Sequence, residues 1–113
     1  MIELTPSNLA AFEARASVAA AMMRALSNER RLLILCQLSG GELSVGVLQA
    51  RLAFSQSALS QHLAVLRDEG LVATRRQGQT IFYHIADPAA LRIISTLASI
   101  YCPDLHNDDS DPA

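Results

Sequence analysis

Lysine and tryptophan are absent from this 113-residue chain, and cysteine occurs only twice. Without lysine, every basic side chain is an arginine, whose planar fork suits bidentate recognition of phosphate or guanine. Aromatic residues are scarce, at 4%, so the core has to be aliphatic, and burial against a partner chain would add to it. No apolar run is long and charge-free enough to span a bilayer. No basic-then-apolar leader opens the chain, because Met1 to Ser7 carries Glu3 and Pro6. The expectation is a soluble, cytoplasmic protein with one domain over residues 1–102 and an acidic, disordered tail over 103–113. A glycine-rich phosphate loop, a nucleophile–base signature and paired carboxylates are also missing, which argues against an enzyme.

What is present points to nucleic acid. The formal charge is −2, but Asp104, Asp108, Asp109 and Asp111 all lie in the last eleven residues. Without them nine arginines face seven acids, so the body carries +2. Such a balance permits DNA binding without demonstrating it.

Residues Phe54 to Arg76, FSQSALSQHLAVLRDEGLVATRR, carry most of the information. Ser55 stands at an N-cap position, with Phe54 and Leu59 spaced as a hydrophobic staple. Leu59, Leu63 and Leu66 recur at helical spacing, leaving Gln56, Ser57, Ser60 and Gln61 on or beside the opposite face. Short amides and hydroxyls read base edges, and a major groove admits a helix. The same pattern also describes an ordinary amphipathic helix with a polar surface.

The surrounding pattern favours the groove-reading alternative. A first helix is expected from about Leu9 to Leu26, with a seam of Leu9, Phe12, Ala16, Ala19, Met23 and Leu26. A second spans Glu29 to Leu38 behind Ser27-Asn28 and stops at Ser39-Gly40-Gly41. Ser44 caps a third through about Leu52, with Leu43 and Leu48 as its staple. Only Ala53 and Phe54 then separate it from the Ser55 cap, the spacing of a helix-turn-helix. Gly70 ends the fourth helix. Leu71 to Arg75 and Thr80 to Ile85 read as strands around Arg76-Gln77-Gly78-Gln79. That places Arg75 and Arg76 at a hairpin tip, able to meet phosphates or a minor groove, or to be merely solvated. Asp87 and Pro88 open a last helix with two apolar stripes: Leu91, Ile94, Ala98 and Tyr101 on one, and Ile93, Leu97 and Ile100 on the other. The predicted fold is mainly α with a small β-hairpin, a winged helix-turn-helix of order α-α-α-α-β-β-α. Its first and last helices have apolar surface to spare for a twin chain.

The segments NERRLLILCQL, GELSVGVL, SQSALSQHLAVLRDEGLV, TRRQGQTIFYHI and IYC together resemble the ArsR/SmtB family of winged-helix repressors, from about Ala20 to Cys102. The resemblance implies a homodimer joined through the first and last helices, bound to a palindromic operator in double-stranded DNA. It assigns DNA reading to Gln56, Ser57, Ser60, Gln61 and His62, with Arg75, Arg76 and Gln77 on the wing.

The family's inducer sites vary. The cysteine-rich motif of arsenic, cadmium and lead sensors would fall at Glu42 to Gly46, which has no cysteine. The His and carboxylate cluster of zinc and nickel sensors would fall on Asp87 to Tyr101, which has no His and only its capping acid. The remaining pair, Cys36 and Cys102, 66 positions apart, resembles the dithiol subgroup that responds to persulfide and sulfide. There the reduced form represses and reactive sulfur bridges the thiols, while close relatives respond to other oxidants or act as anti-silencing activators.

Taken by itself, Cys36 lies in an apolar run and reads as a buried structural cysteine. Cys102, at a helix end beside Pro103, reads as more accessible. The pair is not a CxxC, which argues against a thioredoxin-like catalyst. Bridging needs Cα atoms within about 7 Å, which sequence cannot supply. Two other readings remain: a metal-responsive repressor using Cys102, Asp104 and His106, and a winged-helix interaction module without a DNA target.

Overall fold

The computed structural model describes residues 4–102. Its elements are α1 (Pro6–Leu26), α2 (Glu29–Leu38), β1 (Leu43–Ser44), α3 (Val45–Arg51), α4 (Gln56–Asp68), β2 (Val72–Gln77), β3 (Thr80–Ile85) and α5 (Pro88–Tyr101). This is the expected winged helix-turn-helix with one strand added. The expected tail at 103–113 lies outside the described residues, as do Asp104 and His106.

The caps explain why helices start where they do. Thr5 caps α1 with Pro6 in its first turn, so α1 begins three residues ahead of the expected Leu9. The side chains of Asn28, Ser44 and Ser55 accept from the backbone N–H groups of Arg31, Val47 and Ala58, at 3.0, 3.1 and 3.1 Å. Each satisfies a donor that a helix start leaves without an intrahelical partner. Asp87 does the same for α5 through Ala89 at 2.9 Å. Gly70, at φ 75°, supplies the left-handed residue that closes α4.

β1 is hidden in the sequence because Leu43 and Ser44 also have the pattern of a staple and cap for α3. They fill those roles and also pair with Tyr83 and Phe82 of β3. A two-residue strand is too short to show a period. The sheet is antiparallel, in the order β1-β3-β2.

The hairpin is longer than expected. β2 continues through Arg76 and Gln77, which pair with Ile81 and Thr80, so the loop is only Gly78-Gln79. Gly78 has φ 63°, and a glycine at the first loop position suits the right-handed twist of the flanking strands. Arg75 and Arg76 therefore stand in the strand and not at the tip. Successive strand residues alternate sides, so the two arginines face opposite ways.

The core is aliphatic, as the scarcity of aromatics requires. Ile34, Leu35, Leu48, Leu59, Leu66 and Ile94 are its largest fully buried side chains, drawn from α2, α3, α4 and α5. Burying each removes about 1.5–3 kcal/mol of apolar exposure. Within α1 only Ala25 and Leu26 are buried, while Phe12 is 54% and Met23 51% exposed. The expected seam of α1 thus lies mostly open. On α5 the two stripes do not divide into an inner and an outer face. Ala90 and Ile94 are buried and Ile93 and Leu97 pack on the core, while Leu91, Ile100 and Tyr101 are exposed. The line between the stripes is what faces inward.

Candidate nucleic-acid interface

Leu59, Leu63 and Leu66 anchor α4 in the core, which fixes the direction of every other side chain on it. Ser57 and Gln61, one turn apart, project away from the body, and Gln56 and Ser60 flank them on the wing side; all four are exposed. Ser60 and Arg67 line a groove whose far wall is Ile81 and Tyr83 of β3. The helix is held in this pose at its start. Gln49 of α3 donates through Nε2 to the Phe54 carbonyl, tying the two helices of the motif across their turn. Its Oε1 is buried without a partner among the described residues. Gln49 belongs to no periodic pattern, so its role is not visible in sequence.

His62 lies on the other flank, half-buried and turned toward α2. Partial burial, then the charges of Arg31 and Arg30, hold its imidazole below the ordinary value. It therefore stays neutral at pH 7, on the side of α4 away from Gln56 and Ser60. The difference from Gln61 follows from helical geometry, since the next residue along turns toward the flank that packs on α2.

The wing arginines differ in what they touch. Arg75 donates from Nε and Nη2 to both carboxylate oxygens of Glu42, at 3.0 and 2.6 Å. Its Nη1 donates to Gln77 Oε1 at 3.0 Å, and its guanidinium lies 4.6 Å from the centre of the Phe82 ring. The Arg75 hydrogen bonds hold the Glu42 carboxyl below the usual carboxylate range, with a smaller contribution from His84. Glu42 was not singled out from sequence, because an ion pair spanning 33 positions leaves no local pattern. Arg76 pairs with Ile81 across the sheet and so shares the face turned to α4. It is exposed.

Between α2 and α5 lies an apolar cleft of about 240 Å³. Cys36 and Cys102 both line it, with Leu32, Leu97, Ala98 and Tyr101 among their neighbours. Both are free thiols with exposed surface, so Cys36 is not the buried structural residue its apolar run suggested. The apolar run faces the core through Ile34 and Leu35, and Cys36 comes one residue later, on the side that meets α5. Desolvation in the cleft, and then the charge of Cys102, push the Cys36 thiol up. Among the described residues no three His, Cys, Asp or Glu side chains are grouped to hold a metal. No helix among them is long and apolar enough to cross a membrane.

Residues 28–74 match the family model described as bacterial regulatory protein, arsR family. The transcriptional activator HlyU of Vibrio cholerae serotype O1 is 50% identical over 97 residues, 86% of this chain and 90% of the relative. The transcriptional repressor BigR from Xylella fastidiosa superposes with a TM-score of 0.78 at 37% identity, over 88% of this chain and 98% of that one. A homodimeric winged helix-turn-helix DNA-binding domain from Mycobacterium bovis superposes with a TM-score of 0.68 at 28% identity, over 88% and 89%. The chain belongs to the arsR family of bacterial regulatory proteins: it is a transcriptional regulator that binds DNA, and not an enzyme.

Proposed function

We propose that this regulator works in the cytoplasm as a homodimer, binds a palindromic operator through Gln56, Ser57, Ser60 and Gln61 of two α4 helices, and loosens its hold when reactive sulfur bridges Cys36 and Cys102. The carrying observation is that two cysteines 66 positions apart in sequence line one apolar cleft. Such a pair, in a compartment that keeps thiols reduced, forms only a transient bridge, which suits a signal.

Cys102 stands at the rim, where α5 ends, and meets the donor first. Its sulfur takes sulfane sulfur from a polysulfide. One further sulfane sulfur accepts two electrons and two protons from the two thiols and leaves as hydrogen sulfide. The remainder stay as inserted atoms between Cys102 and Cys36, and such insertion relaxes the distance that a simple disulfide imposes. Bridging ties α2 to α5, and α2 packs on α4, so the altered contact reaches the reading helix.

The open apolar surface of α1 supports the homodimer, and the Mycobacterium bovis domain is itself homodimeric. Relatives named as activator and as repressor fit either sign of regulation; repression in the reduced state is the reading proposed here. Intact-mass and peptide mass spectrometry after polysulfide treatment tests the chemistry. The expected product is a Cys36–Cys102 crosslink carrying added sulfur. Modification at each cysteine separately, with no crosslink, would contradict it.

A further inference from the structure

The nine arginines of the chain are not equivalent as phosphate ligands. Arg31 donates through Nε to the Ala25 carbonyl at 2.7 Å and so closes the end of α1. Arg51 donates to Gln37 at 3.2 Å. Arg75 has its fork on Glu42 and its flat face on Phe82. Each of these is occupied within the chain.

Two others sit differently, one on each side of α4. Arg76 projects from the wing face that carries Ile81, the far wall of the groove beside Ser60. Arg30 lies in the first turn of α2, exposed, with its guanidinium 5.1 Å from the centre of the Phe54 ring. Phe54 immediately precedes the Ser55 cap, so Arg30 is stationed beside the start of the reading helix. Its charge is also felt at His62 on the same flank. Neither Arg30 nor Arg76 has an ion pair among the described residues.

We propose that Arg30 and Arg76 are the phosphate ligands that grip the DNA backbone on either side of α4, and that Arg75 is a positioning residue which Glu42 withholds from DNA. The inference rests on α4 entering the groove. A helix in a major groove has a sugar–phosphate strand on each side, and backbone contacts there set its register. Phe54 holds the Arg30 guanidinium beside the helix start through a cation–π contact. Arg75, bound at both ends of its fork, holds the β2–β3 hairpin against the segment that leads into α3. That sets the pitch at which Arg76 is presented.

Counterion release separates these roles, because each neutralised phosphate steepens the dependence of log affinity on log salt by about 0.9. The full-length chain is titrated by anisotropy onto a labelled duplex selected from random-sequence DNA, between about 50 and 200 mM salt. Arg30→Gln and Arg76→Gln should each flatten the slope by about 0.9 per protomer. Arg75→Gln should weaken binding while leaving the slope unchanged. Glu42→Gln should weaken it similarly, and the Glu42→Gln/Arg75→Gln double variant should be no weaker than either single variant. Arg30→Lys keeps the charge and should keep the slope, which separates a phosphate contact from lost packing on Phe54.

An unchanged slope in Arg30→Gln or Arg76→Gln would overturn that residue's assignment. A flattened slope in Arg75→Gln, or tighter binding by Glu42→Gln, would overturn the positioning role. A wild-type chain lacking steep salt dependence would instead remove the groove-reading premise itself.

Discussion

Gln61 projects from the middle of the exposed side of α4, and His62, its neighbour, turns back against α2. The two should respond differently to truncation. Gln61→Ala should weaken binding to a selected operator by about 1–3 kcal/mol and relax base preference at one position of each half-site. His62→Ala should change base preference little, and a shift as large as that of Gln61→Ala would place the imidazole in the groove. Cys36 makes the pH prediction. With its thiol pushed above the ordinary value of 9.0, it is protonated at neutral pH, and its thiolate fraction grows as pH rises toward the raised value. In a Cys102→Ser variant, alkylation of Cys36 should be slow at pH 7 and accelerate through the alkaline range. A rate already maximal at neutral pH would show a depressed thiol instead.

At the scale of elements, what sequence reveals depends on the range of the interaction that fixes it. α4 was legible because its cap, its staple and its leucine stripe all lie within a dozen residues and agree with one another. Ser55→Ala should therefore destabilise the fold by about 0.5–2 kcal/mol, and Leu59→Ala, at a fully buried site, by about 2–5 kcal/mol. Denaturant unfolding measures both, and a Leu59→Ala loss below that of Ser55→Ala would contradict the assigned core face. The wing was legible only in outline. Its strands alternate visibly, yet where β2 ends is decided by the Gly78-Gln79 loop, so Arg76 and Gln77, expected in the turn, belong to the strand. The Glu42–Arg75 bridge and the β1–β3 pairing stayed hidden, since each joins residues more than thirty positions apart. The cleft was half legible: two cysteines were visible, but their shared surface comes from the packing of α2 on α5.

At the scale of the whole molecule, α1 is the element the fold explains least. Twenty-one residues long, it buries only Ala25 and Leu26 and leaves Leu9, Phe12, Val18 and Met23 exposed. The proposed homodimer would bury this surface, and a protein stabilised by a second copy melts at a temperature that depends on its concentration. Phe12→Glu should shift the chain toward monomer in analytical ultracentrifugation and weaken operator binding, because one half-site is then held alone. An unchanged sedimentation profile would direct the apolar seam to some other partner. The proposed release of DNA would likewise involve the whole molecule, since α2 packs on both α5, which carries the cleft, and α4.

Operator affinity, measured by anisotropy for reduced and polysulfide-treated protein in wild type, Cys36→Ser and Cys102→Ser, decides whether the thiol pair is the switch. A thiol-pair switch predicts that treatment weakens the wild type by at least about tenfold, or 1.4 kcal/mol, while each single variant binds as before treatment. Equal release in both variants and wild type would contradict it.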